Sequence, residues 1–331
     1  MHKITMEEYD IIVLGSATRD VLMNASDFTI VDGKEFTTGE GLCLPLGSKI
    51  EVKKVVFATG GGGTNAAVTF ARQGFKTAGI GVIGEDINGT AILEELAKEN
   101  VDTRFFQKHH DDYTAYSVIL VQTGGERTIL SYKGEGQHFE AADVPFGQLR
   151  SKWIFLDSLG GHYDLLMAAV DWAQKNNVKI STNPGTKELE HGLEKLKPLL
   201  ESAAIVSMNQ EEAAGLLGVA FDDVEQIFQK MDEIVKGIFV MTRGHDGVIV
   251  SDGGHRYTAG VPDSPIVERT GAGDAFNSGF VAEYMRSGDI ARAIQLGTAN
   301  ASLVVTQYGG KAGILKKGDL GPWPLVEVSI K

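Results

Sequence analysis

A single cysteine, Cys43, among 331 residues excludes an intramolecular disulfide, and no Cys/His cluster has the spacing of a zinc site. Positive charge is also short: 31 Lys and Arg stand against 44 Asp and Glu, a formal net charge of −13. Phosphate-backbone binding rests on clustered cations, and none are clustered here, so no nucleic-acid partner is expected. No run approaches the ~18 consecutive apolar residues of a membrane span, and the opening MHKITMEEYD is too acidic and too poor in apolar residues to read as a signal peptide. The expectation is a soluble protein of a reducing cytoplasm. The Walker A pattern GxxxxGK[ST] is missing, which excludes a P-loop phosphate site, and the eight histidines, with the pair His109 and His110, form no HExxH or nucleophile-base pattern.

What the chain does have is alternation. Short β-branched runs at 10–14 (DIIVL), 78–83, 153–156, 178–181, 204–207, 237–241 and 247–251 alternate with helical periodicity at 65–73, 88–99, 164–174, 189–200, 210–217 and 222–235, and two long helices follow Gly273. That pattern predicts an α/β fold with a mainly parallel central sheet and helices on both faces, a Rossmann-type three-layer core. Residues 25–58 and 105–133 break it: strand-like alternation with turn signals (Asp32-Gly33, Thr38-Gly39, Gly124-Gly125) predicts a small β-sheet built from two insertions. Residues 1–331 then read as one domain in which this sheet is either a lid that excludes water during group transfer or a surface hairpin with a packing role. Cys43 falls in it, as a packed or interface residue.

The sharpest chemical signal is RTGAGDAF at 269–276, which runs directly into an apolar helical pattern. Gly271, Ala272 and Gly273 let backbone N–H groups converge at a helix N-terminus, where orphan donors and the macrodipole favour an anion. Asp274 places a carboxylate at the same point. A carboxylate beside an anion cradle suits proton removal from a hydroxyl attacking a phosphate; the plainer alternative is a turn with a capping aspartate. Asp20 follows the first strand, at the edge where open α/β sheets bind ligands, and can accept two hydrogen bonds from a vicinal diol. Gly61, Gly62 and Gly63 allow close backbone approach to a ligand, and the Asn65 amide offers a donor and an acceptor.

RTGAGDAFNSGF resembles the C-terminal signature of the PfkB/ribokinase family of carbohydrate and nucleoside kinases. GGGGTNAA (60–67) resembles the family's glycine-rich substrate loop, GVIGEDING (81–89) its G-x-x-G-x-D-x-x-G segment, and GSATRD (15–20) its substrate-binding turn. NQEE (209–212) resembles its N-x-x-E motif, TRGHDG (242–247) its nucleotide-side loop, and GTANASLVVTQYGG (297–310) the helix bordering the adenine pocket. The resemblance spans nearly the whole chain. It implies a ribokinase-like core with a β lid, ATP with Mg²⁺ as phosphoryl donor, a sugar or nucleoside acceptor, and a homodimer formed through the lid.

On this resemblance Asp274 is the general base, Gly271–Gly273 the anion hole, and Asn209, Thr242, Arg243, Gly244, Gly247 and Asn300 border the nucleotide. Asn209 and Glu212, three apart on one face of a helix start, can organise the waters of Mg²⁺, with a first-turn helix acid as the plain alternative. Arg243 leans on phosphates or is a solvated loop cation. Arg127 touches substrate or protects an edge strand. Asp86 reads as a helix cap. Where many members have Asp-Thr, this chain has Glu268 and Arg269: Glu268 keeps the charge that holds a monovalent cation, whereas Arg269 replaces K⁺ or faces solvent, and K⁺ dependence stays open. Thr114-Ala115 stands in place of the usual Thr-Gly. Against the sugar kinase stand a ribonucleoside kinase and a catalytically silent nucleotide-binding relative. A Rossmann dehydrogenase lacks its acidic residue ~20 positions past a G-x-G-x-x-G.

Overall fold

The structure, a computed structural model, describes residues 8–24, 29–34, 36, 39–122 and 126–331. The alternation of strands and helices builds one nine-stranded sheet. Six of its strands are parallel, in the order Thr77–Ile80, Tyr9–Leu14, Ser151–Leu156, Lys179–Thr182, Ile205–Asn209 and Ile238–Thr242, and Val248–Ser251, Arg256–Ala259 and Ser329–Ile330 extend the sheet antiparallel. Successive side chains of a strand point to opposite faces, and each face here has its own core. Ile12, Leu14, Ile154 and Leu156 pack with residues of the helices Tyr163–Lys175 and Leu193–Ser202. Ile11, Val13, Trp153 and Phe155 pack with those of Gly62–Arg72, Ala272–Ser287 and Ile290–Val304. Burial on both faces explains why these strands read as continuous apolar runs rather than alternating ones.

Two elements expected as continuous are broken. The run 78–83 divides at Gly81 into Thr77–Ile80 in the main sheet and Val82–Gly84, which pairs with Gln107–His109. A Cβ on Gly81 would stand 2.8 Å from the Phe106 ring and 3.0 Å from the Gly15 carbonyl, so only glycine passes there. The helix expected over 189–200 splits into Thr186–Leu189 and Leu193–Ser202 because Gly192, at φ 83°, reverses the chain between them.

The small sheet has four strands, in the order Arg127–Tyr132, Tyr116–Val121, Thr18–Asn24, Lys54–Gly60. Its first strand starts at Thr18, ahead of the boundary expected at 25. Residues Thr29–Asp32 and Glu40–Cys43 form a separate hairpin that carries the exposed Cys43. The expected turn at Gly124-Gly125 and Thr38 of the turn Thr38-Gly39 lie outside the described residues. Register aligns Asp20 with Ala58 and Ser117, and Ser117 in turn with Ser131, so these four share one face with Leu22, Val56, Ile119 and Ile129. The opposite face presents Val55, Phe57, Leu130 and Tyr132, all exposed.

Candidate active site

The inner face of the small sheet and the carboxyl edge of the main sheet enclose a cavity of about 390 Å³. Asp20, Ser117, Ile129 and Ser131 line it from the sheet, Gly61, Gly62 and Asn65 from the glycine loop and the helix start it leads into, Thr270 from the turn before the last long helix pair, and Asp274 from the first turn of the helix Ala272–Ser287. The substrate-side residues picked out in the sequence, apart from Gly63 and Arg127, are therefore in one place, together with Asp274.

The glycine loop is shaped by contacts that admit no side chain. Gly61, at φ 91°, caps the helix Gly62–Arg72, and a Cβ on Gly63 would stand 2.7 Å from Gly15 Cα. The loop thus lies directly on the turn after the first strand, and Thr64 N–H donates to the Ser16 carbonyl at 3.2 Å. This packing aims Asn65 at the cavity, where its Nδ2 donates to Asp274 Oδ2 at 2.8 Å. Its Oδ1 is buried without a donor among the described residues, an acceptor available to a ligand hydroxyl. Gly271, at φ 80°, caps the helix Ala272–Ser287, a conformation that favours glycine. Around Gly273 the turn is open, with nothing within 4 Å of where a Cβ would sit.

Three carboxyl groups gather here. Burial pushes Asp20 up to about 6, against the charge of Lys311 and a hydrogen bond from Ser117. Burial also raises Asp274, while the Asn65 hydrogen bond and the Lys311 charge favour its ionised form. The third, Asp157, went unrecognised in the sequence. It follows the strand Ser151–Leu156 just as Asp20 lies beyond the first strand, and position at a carboxyl edge was its only signal. Asp157 is 7% exposed and stands behind the cavity wall: a Cβ on Gly62 would lie 2.5 Å from both of its oxygens, and Ser16 Oγ donates to Oδ2 at 3.2 Å. Burial, with Asp274 next in effect, pushes Asp157 up to about 8. Burial and the neighbouring Asp274 charge thus drive Asp157 toward its neutral form, while Asn65 and Lys311 work against the same drift in Asp274.

Other expected site residues are placed elsewhere. Arg127 does not line the cavity; its Nε lies 3.4 Å from Oε1 of the fully buried Glu268, which also accepts from Thr270 N–H at 2.6 Å. Arg269 instead pairs with Glu126 at 2.9 Å near the surface. Glu268 Oε2 and Thr270 Oγ1 are buried without hydrogen-bond partners among the described residues. Oxygens of this kind suit a monovalent cation, and Arg127 already supplies one positive charge beside them.

Asn209 and Glu212 form a reciprocal capping box: Asn209 Oδ1 accepts from Glu212 N–H, and Glu212 Oε2 from Asn209 N–H, each at 2.8 Å. Glu212 keeps Oε1, and burial raises its carboxyl. One carboxylate oxygen with an adjacent amide fits a Mg²⁺ that retains its waters; among the described residues no three His, Cys, Asp or Glu gather to enclose a metal. Arg243 Nε donates to Gln210 Oε1 at 2.8 Å. Thr242 ends its strand, and Gly244 and Gly247, at φ 57° and 85°, shape the turn that follows. Asn300 is spent inside the protein, with Nδ2 donating to the Ala275 carbonyl and Oδ1 accepting from Leu315 N–H, both at 2.8 Å. Its role in the structure is a bracket between helices. Asp86 is a cap: burial opposes its charge, but N–H donors of Gly89 and Thr114 and the Thr114 hydroxyl hold it below its usual range.

Comparison with known proteins agrees with this architecture. Ribokinase of Haemophilus influenzae is 30% identical over 308 residues, covering 91% of this chain and 94% of that protein. A nucleoside kinase of Methanothermobacter thermautotrophicus is 22% identical over 315 residues, covering 95% and 94%. Among solved structures, Arabidopsis thaliana ribokinase complexed with ribose and ATP superposes with a TM-score of 0.75 at 21% identity, covering 95% of this chain and 98% of that one, so the fold is ribokinase-like. The family model described as pfkB family carbohydrate kinase matches residues 11–317, and the chain belongs to that family.

Proposed function

We propose that this protein transfers the γ-phosphate of ATP to an alcohol group of a small sugar, with Asp274 as general base. The observation that carries the reading is that Asp20, Asn65 and Asp274 line one cavity of about 390 Å³ at the start of the helix Ala272–Ser287. That volume is at the small end of the ~300–1,000 Å³ typical of ligand pockets, which suits a monosaccharide. In this reading Asp20 accepts two hydroxyls of the sugar and Asn65 Oδ1 a third. The attacking hydroxyl faces Asp274, which takes its proton as the oxygen reaches phosphorus and the bond from phosphorus to ADP breaks, and the N–H groups of Gly271 and Gly273 meet the charge on the transferring group, joined by that of Ala272, which in this structure donates to the Arg269 carbonyl at 3.3 Å. Asp157 is driven toward its neutral form, and in this reading Asp274, helped by Asn65 and Lys311, is the member of the pair that ionises.

Mg²⁺ bound with the nucleotide neutralises phosphate charge, with Glu212 and Asn209 holding its waters. Thr242, Arg243, Gly244 and Gly247 border the nucleotide. A monovalent cation would bind at Glu268 and Thr270, and because Arg127 already brings charge there, activity persists without K⁺. The small sheet acts as the lid, since its inner face forms part of the cavity wall. Its apolar outer face suits a homodimer. A ribonucleoside is the second reading, favoured by the apolar wall of Val82, Ile119, Phe139 and Leu159, against which a base can pack.

The test is ADP release measured over a panel of sugars, phosphorylated sugars and nucleosides, with and without K⁺. Turnover on a free sugar supports the reading and turnover confined to nucleosides selects the second. ATP binding without turnover on any acceptor would leave the silent relative.

A further inference from the structure

Lys311 belongs to no motif and does not line the cavity, yet it is 4% exposed. A buried ammonium carries a desolvation penalty of several kcal/mol, so its surroundings must compensate it. Its Nζ donates to the Thr59 carbonyl at 2.7 Å and to Thr59 Oγ1 at 2.9 Å, and that hydroxyl donates onward to Glu95 Oε2 at 2.8 Å. Thr59 is the residue before Gly60, where a Cβ would collide with the Asp20 carboxylate. On the other side, Lys311 follows Gly310. A Cβ on Gly271 would stand 2.6 Å from Gly310 Cα, and one on Gly310 would stand 2.7 Å from Nδ2 of Asn65, the donor to Asp274. Lys311 thus joins, outside the cavity wall, the two backbone segments on which the working carboxylates rest. Arg72 fixes its backbone, donating from Nη1 to the Lys311 carbonyl at 2.9 Å.

We propose that Lys311 is a positioning residue for phosphoryl transfer: a fixed counter-ion that ties down the entrance of the glycine loop through Thr59 and stabilises negative charge on Asp20 and Asp274 together. The inference rests on Asp274 being the base. The charged groups facing Lys311 are Glu95 from the helix Ile87–Lys98, Glu99 at the end of that helix, Asp20 from the small sheet, Asp274 from the helix Ala272–Ser287 and Arg72 from the helix Gly62–Arg72. Burial pulls Lys311 down to about 8, against Glu95, Asp20 and Asp274, so its charge is present at neutral pH and is lost above that value. Its charge in turn favours the ionised forms of Asp20 and Asp274.

The experiment is the pH dependence of kcat and kcat/KM for Lys311→Met beside the unmodified protein, with Asp274→Asn run in parallel. Loss of one opposite charge near a carboxylate moves its pKa by about one unit or more, so the acid limb of Lys311→Met should shift to higher pH by about that amount and the alkaline limb near 8 should vanish. A lowered melting temperature with both limbs in place would make Lys311 a structural residue and overturn the proposal. If Lys311→Met does not fold, Glu95→Gln serves: it removes an acid that supports the ammonium, so the alkaline limb should move to lower pH, and an unmoved limb overturns the proposal equally. Full transfer by Asp274→Asn would instead remove the reading on which the proposal stands.

Discussion

Asp157 and Asp274 show how two chemically identical side chains acquire different tasks at the scale of the residue. Both are driven toward neutrality by burial; the Asn65 amide and the Lys311 charge favour ionisation of Asp274, whereas Asp157, although it accepts from Ser158 N–H and Ser16, also faces the charges of Asp274 and Glu188. The difference has a consequence for stability. Asp157 titrates near 3.8 when exposed and near 8 in the folded protein, so the folded state binds the extra proton between those values. Its contribution is complete below the lower value and is lost as pH rises toward the upper one. Asp157→Asn, which needs no proton to stay neutral, should therefore flatten the fall in melting temperature between pH 4 and pH 8 and melt higher than the parent at the alkaline end. A pH series of thermal melts checks this; parallel curves would show that Asp157 is ionised in the folded protein.

At the scale of the element, glycine positions separate loops built for close approach from those that are merely tolerant. Gly62 opens the helix Gly62–Arg72, and a Cβ there would meet both oxygens of Asp157 at 2.5 Å. Gly62→Ala should destabilise by about 1–3 kcal/mol, as overpacking does, and raise KM for the sugar because the loop must shift. Gly215, inside the helix Gln210–Leu217, has open space in the same direction, and Gly215→Ala should stabilise by about 0.5–1 kcal/mol with unchanged kinetics. Denaturant melts of the pair measure both. The glycine loops, the parallel strands and most helices were legible in the sequence because each depends on local periodicity or spacing. The first strand of the small sheet was not: TRDVLMN opens with three polar residues, of which Thr18 and Asp20 line a ligand cavity and Arg19 lies over Phe57 of the neighbouring strand rather than in a core. Lys311 was illegible for a different reason, since a lone lysine in YGGKAG reads as a loop cation until Thr59, 252 positions away, is brought to it by the fold. Arg127 carried its expectation from its place near the end of a lid strand and Asn300 from motif position, and their partners Glu268 and Ala275 could be found only in three dimensions.

The whole molecule places its chemistry between a rigid sheet, cored on both faces, and a small sheet whose two faces differ. The outer face, with Val55, Phe57, Leu130 and Tyr132 exposed, is an apolar surface of the kind that marks association. If it joins two copies, Phe57→Glu should convert a dimer to a monomer in sedimentation velocity and lower activity through the sheet's other face; an unchanged sedimentation coefficient would place any interface elsewhere. Asp274 as the base is tested by single-turnover phosphoryl transfer in Asp274→Asn with the best acceptor from the panel. Removing a general base costs roughly 10²–10⁴-fold, so transfer should slow by at least about a hundredfold while the affinity for ATP holds. A rate within a few-fold of the parent, with acceptor and nucleotide bound, would contradict the account.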